Sequence, residues 1–77
     1  MNMKSFYTFL MTYRQPKEVD AITKFANHAF LDHSFPKQSV DYDELSRYLE
    51  MNVDYLESMS VFDEAWDIFM QSEEGLW

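Results

Sequence analysis

Apolar side chains recur at helical spacing along most of this chain, and two prolines decide where the helices must stop. After Ser5, a good N-cap, Phe6, Phe9, Leu10 and Tyr13 fall at i, i+3, i+4 and i+7 and predict a first helix over about Phe6–Tyr13. Gln15-Pro16 ends it, because the residue before a proline is pushed out of helical geometry. From about Val19 the set Ile22, Phe25, Ala26, Ala29 and Phe30 repeats the pattern for three turns, with Thr23, Lys24, Asn27 and His28 on the opposite side. The period is then lost over Asp32–Val40, which holds the second proline and reads as an ordered loop with Phe35 extended before Pro36. We expect this loop to be the corner joining the first two helices to the last two. Phe35 should plug the core there, and His33 should cap the end of the second helix, near the negative pole of its dipole.

Beyond the corner, Asp41 stands three residues before Glu44 in a capping-box arrangement. Tyr42, Leu45, Tyr48 and Leu49 follow and predict a third helix over about Tyr42–Met51. Asn52–Met59 reads as a connector, with Val53, Leu56 and Met59 making a short helical turn over the core. Ser60 and Asp63 repeat the start signal for a last helix, about Val61–Gln71, whose stripe is Phe62, Ala65, Trp66, Phe69 and Met70. Gly75 suits a helix stop, and Leu76 and Trp77 are left in a tail over 71–77 that folds back on the core or frays. The expected fold is therefore all-α, a compact orthogonal bundle of four main helices plus a short helical connector. At 77 residues it is one domain, 1–77. Aromatic residues make up 18% of the chain and supply the core, since each buries ~150–250 Å².

The chain has no cysteine, which excludes a disulfide framework, a thiolate zinc site, an iron–sulfur cluster and a cysteine nucleophile. The first residues have neither the apolar core of a signal peptide nor the ~18 apolar residues of a membrane span, so the expected location is cytoplasmic, with no membrane contact. Net charge is −8, but it is divided. Residues 1–40 carry five cations against three acids, whereas 41–77 carry Arg47 against eleven acids. Nucleic-acid affinity comes largely from neutralised phosphates, so any such contact would have to use the first half. The plainer reading of the acidic half is a solvated, solubilising surface.

No stretch has the spacing of a catalytic, nucleotide or metal site. His28 and Asp32 share a helix face at i and i+4, yet His33 lies at the helix end and no HExxH spacing is present. Asp43-Glu44, Asp63-Glu64 and Glu73-Glu74 are adjacent acids that point in different directions, as expected of caps and surface. The serines lack nucleophile-elbow context. We therefore expect no enzyme, no cofactor and no metal. Tyr7, Tyr55 and Trp77 fall off the main stripes and are the aromatics to suspect of contacting a partner. Lys17 and Lys24 are seven apart and would share a helix face; with His28 and Lys37 they are the candidate partner-binding residues. The preferred partner is an unidentified protein. A nucleic-acid partner contacting the first-half cations is the alternative, disfavoured by net charge.

The segments Ser5-Phe6-Tyr7, Phe9-Leu10-Met11, Tyr13-Arg14, Phe25-Ala26-Asn27, Asp32-His33-Ser34-Phe35-Pro36-Lys37, Asp41-Tyr42-Asp43-Glu44, Tyr48-Leu49-Glu50 and Ser58–Trp66 together resemble the YozE family of small proteins from Gram-positive bacteria. The resemblance covers about residues 5–70. It implies a fold similar to the sterile alpha motif (SAM), in agreement with the helical reading. It carries no catalytic or binding residue onto these positions, and SAM-like folds serve both protein and nucleic-acid binding.

Overall fold

The computed structural model describes residues 4–74, and these form four helices: α1 (Phe6–Met11), α2 (Ala21–Leu31), α3 (Tyr42–Asn52) and α4 (Met59–Glu74). The predicted tail residues Gly75, Leu76 and Trp77 lie outside the described part. Helix α4 is the common support, packing against α1, α2 and α3, while α1 also packs on α2. None of the described helices is long and apolar enough to cross a membrane.

The core is mostly aromatic. Phe6 is fully buried and meets Phe62 and Phe69 edge-on at 5.4 and 5.6 Å between ring centroids, with Phe25 at 6.3 Å. Phe9 adds contacts to Phe69 and Tyr13, and Leu10, Ala26, Ala29, Leu45, Leu49 and Ala65 complete the interior. Trp66 is only partly buried, but its ring packs on Phe6, Tyr42, Phe62 and Phe69, so it belongs to the core as its spacing implied.

Helix α1 is shorter than predicted. The Thr12 hydroxyl and N–H both turn back on the Phe9 carbonyl, at 2.7 and 3.1 Å. The N–H groups of Tyr13 and Arg14 then bond three residues back, to Leu10 and Met11. The chain thus tightens into a 3₁₀-like turn, which still brings Tyr13 against the core. Helix α2 starts at Ala21 rather than near Val19, because Asp20 caps it by accepting the Thr23 N–H at 2.8 Å. The hydroxyl of Thr23 bonds the same carboxylate, which lets Thr23 be buried, against the expectation that it faces water. Phe30 departs the other way. It lies about 20° from Thr23 around the helix but two turns on, and is 45% exposed.

The corner loop behaves as its sequence implied at Phe35, which is 3% exposed and packs against Tyr7 and Tyr48. Ser39 in the same loop supplies the carbonyl that accepts the Phe6 N–H at 3.2 Å, satisfying a free donor at the start of α1. At α3, Asp41 caps by accepting from Asp43 N–H, one residue short of the Glu44 N–H a capping box uses, and its own N–H donates to Ser39 Oγ at 3.1 Å rather than to Glu44, so the predicted box does not form. Two further expectations are corrected. The connector is irregular, extended at Val53 and bent at Asp54 and Glu57, instead of helical, although Val53, Leu56 and Met59 do lie against the core. Helix α4 starts at Met59, because Ser58, not Ser60, offers the capping oxygen: its Oγ accepts the Ser60 N–H at 3.2 Å, and its carbonyl accepts the Val61 N–H.

Candidate functional site

The corner brings together residues that sequence spacing keeps apart. One carboxylate oxygen of Asp32 accepts the hydroxyls of Tyr48 from α3 and Tyr55 from the connector, at 2.7 and 2.8 Å. The other accepts the Ser34 N–H at 3.0 Å. Partial desolvation pushes the Asp32 carboxyl up, but the bonds from Tyr48, Tyr55 and Ser34, with His33 nearby, outweigh it and hold the group below the ordinary carboxylate range. The same contact acts on the phenols. Desolvation and the neighbouring carboxylate push Tyr48 up to about 12 and Tyr55 further still. Tyr55 is thereby a structural tie for the connector. It is Asp32, at the C-cap of α2, that fastens this helix end, while His33 is exposed one residue beyond, which corrects its predicted capping role.

Around this clamp lie four shallow grooves, linked to one another in series by shared lining residues. The first, of about 460 Å³, lies where the α1–α2 loop meets α2 and is lined by Arg14, Gln15, Pro16, Asn27, Phe30 and Leu31. Leu31 also lines the second groove, which runs by His28 and Asp32 to Asn52 and Tyr55. A third shares His28, Asp54 and Tyr55 with it and adds Lys24 and Glu57. A fourth begins at Asn52 and continues past Met51 and Arg47 to Pro36. Phe30, Leu31 and Met51, exposed by 45, 68 and 77%, all lie on this series.

Of the sequence candidates, Lys24 and His28 line these grooves, one turn apart on α2. Lys24 Nζ pairs with Glu57 at 3.6 Å, and the His28 ring stacks on Tyr55 with centroids 5.6 Å apart and planes 14° from parallel. Lys17 is not on a helix, since α2 begins only at Ala21, so the predicted shared face with Lys24 does not form. Lys37 sits in the corner loop with its Nζ 5.6 Å above the Tyr7 ring and lines none of the four grooves. Among the described residues His28, Asp32 and His33 do not come together as a ligand group either, and the Asp32 oxygens instead accept from Tyr48, Tyr55 and Ser34. Phe30, Leu31 and Met51 were not among the candidates, and Arg14 was one only as a first-half cation that could meet nucleic acid. Leu31 and Met51 could have been found as apolar residues off their helices' buried stripes.

The family described as YozE SAM-like fold matches residues 5–71. The chain is 65% identical over 68 residues to a UPF0346 protein of Bacillus licheniformis, covering 88% of this chain and 93% of that one. It is 63% identical over 70 residues to a UPF0346 protein of Lactiplantibacillus plantarum, covering 91% and 96%. To the UPF0346 protein YozE of Bacillus subtilis it is 58% identical over 73 residues, covering 95% and 99%. With this match over nearly all of its described residues, and the all-helical architecture that goes with it, the chain belongs to the YozE SAM-like family.

Proposed function

We propose that this protein is a cytoplasmic, non-enzymatic module that binds another protein through the groove-lined face of α2, the connector and the end of α3. The observation that carries the reading is the exposure of Phe30, Leu31 and Met51 along this linked series of grooves. Large apolar groups left exposed along neighbouring grooves are a common feature of association surfaces. Their polar neighbours are suited to it as well: Arg, Tyr and Met are enriched at protein interfaces, and Arg14, Arg47, Tyr48 and Tyr55 line the same grooves. The absence of cysteine fits a reducing compartment.

The face suits nucleic acid less well. Asp32, Glu44, Asp54 and Glu57 lie along it among the cations, and Lys24 is already paired with Glu57. Such a mixture neutralises few phosphates.

The test is cross-linked capture from native cytoplasm with three forms of the chain: wild type, the double variant Leu31→Glu/Met51→Glu, and Val40→Glu. Val40 is exposed but lines none of the four grooves. Wild type and Val40→Glu should enrich the same protein, and the double variant should lose it. Recovery of no enriched protein, or equal recovery by all three forms, would overturn the reading. So would binding of labelled DNA or RNA at low ionic strength that is lost on Lys17→Glu/Lys37→Glu.

A further inference from the structure

The four grooves differ in charge. Asp32 and Asp54 line the second, Asp54 and Glu57 the third, and Glu44 the fourth. The first has Arg14 and no acidic lining residue, in a chain whose net charge is −8. One acid, Glu18, touches a lining residue: its Oε2 accepts from Asn27 Nδ2 at 3.4 Å.

The Arg14 guanidinium carbon lies 3.5 Å from the centroid of the Phe30 ring. Stacking engages the flat face of a guanidinium, whereas its N–H donors lie in the plane and radiate outward, in the fork that matches a carboxylate. Among the described residues no carboxylate pairs with Arg14. Its cation is therefore held in place by Phe30 with its hydrogen-bonding edge still available. Leu31, at 68% exposure, and Pro16 supply apolar surface beside it. Asn27 donates through Nδ2 to the Gln15 carbonyl at 2.8 Å and to Glu18, which commits its amide donors and leaves its carbonyl oxygen to accept.

We propose that this first groove binds a short acidic and hydrophobic peptide segment of the partner protein. An apolar side chain sits against Leu31, Pro16 and the free edge of Phe30, a neighbouring Asp or Glu carboxylate takes the Arg14 fork, and Asn27 Oδ1 accepts a peptide N–H. The inference rests on the reading of this face as a protein-binding surface and specifies its ligand. Charge complementarity selects the acidic segment: a basic one would face Arg14, while an uncharged one would leave its donors to water. A nucleic-acid strand fits less well, because Arg14 already covers a face of Phe30 on which a base would stack.

The experiment pans a library of random dodecapeptides against the full chain and measures the affinity of the selected peptides by fluorescence anisotropy. The selected sequences should share an apolar residue next to Asp or Glu. Their affinity should fall about tenfold or more on Arg14→Gln, as expected for loss of a charge-assisted hydrogen-bonded pair. It should fall on Leu31→Asp, hold on Val40→Glu, and weaken as salt rises. Because Arg14 and Leu31 are exposed, each variant should keep the wild-type circular dichroism, and any that does not is replaced by Arg14→Lys, which keeps the charge but loses the fork and should bind weaker than wild type. Failure to select peptides, selection of basic or uncharged ones, or affinity unchanged within twofold on Arg14→Gln would overturn the proposal. Displacement of a selected peptide by a single-stranded oligonucleotide, in an Arg14-dependent way, would overturn it too. If capture by the wider face still depends on Leu31 and Met51 while these peptide results fail, only the ligand assignment falls; if capture fails as well, both do.

Discussion

Replacing Asp32 with alanine should loosen the corner of the fold more than any other single change of a polar residue on this face. In the native protein the Asp32 carboxylate accepts three hydrogen bonds, from Tyr48 and Tyr55 at 2.7 and 2.8 Å and from Ser34 N–H at 3.0 Å. A bond to a charged acceptor contributes ~1.5–3 kcal/mol when shielded from water. The Asp32 side chain is still partly wetted, and solvent screening brings each bond down to about 1 kcal/mol, so Asp32→Ala should cost about 3 kcal/mol. A domain of this length has ~4–12 kcal/mol of stability in total. At ~4–8 °C per kcal/mol, the melting temperature should fall by roughly 12–24 °C.

The assay is urea and thermal unfolding followed by circular dichroism, on Asp32→Ala, Tyr55→Phe and the double variant. Because the two side chains share one bond, the double variant should cost roughly 1 kcal/mol less than the two single losses together. A loss below about 0.5 kcal/mol for Asp32→Ala, or strictly additive effects, would refute the clamp. Its pH dependence has a definite sign. The folded carboxyl is held below its ordinary 3.8, so its contribution is present in full above that value and disappears as the pH falls through the lowered one.

Three further outcomes are expected. Phe35→Ala should cost about 3–5 kcal/mol by emptying the plug between Tyr7 and Tyr48, measured by urea unfolding; a loss under ~1 kcal/mol would remove Phe35 from the core. Ser58→Ala should cost about 1 kcal/mol, and Ser60→Ala clearly less, because Ser58 provides the capping oxygen of α4; the reverse order would restore the start at Ser60. Alkaline titration should destabilise the chain over a defined window. Tyr48 is held above its ordinary 10.0, up to about 12, so its contribution is present below pH 10.0 and is lost as the pH rises through about 12. Tyr48→Phe should flatten that loss.

Much of the helical fold was legible because its signals are local. Phe6, Phe9 and Leu10 on α1, and Phe62, Ala65 and Phe69 on α4, reach the core at the spacing their sequence displays. Phe35 was legible too, since a large aromatic before a proline in an otherwise polar loop needs somewhere dry to sit. What was not legible depends on distant partners. Asp32 meets hydroxyls 16 and 23 residues away, and no pattern around Asp32 announces them. Thr23 could be buried only because Asp20 satisfies its polar groups. Phe30 continues the apolar period of α2, yet lies against Arg14 from another segment. The connector was misread because Val53, Leu56 and Met59 do fall at helical spacing, whereas the tie from Tyr55 to Asp32 goes with a bent, non-helical path. The candidate site fared less well for the same reason. Seven residues separate Lys17 from Lys24, but a helix face exists only where the helix does, and Asp20 starts it after Lys17 has passed.

The claim that the face of α2 and the end of α3 meets a protein partner is tested most directly by placing a photo-reactive benzoylphenylalanine at Leu31, at Met51 or at Val40 and irradiating cells that express each form. Substitution at Leu31 and Met51 should give the same heavier adduct, and at Val40 none. Adducts at Val40 alone, or none at Leu31 and Met51, would contradict a protein-binding role for this face.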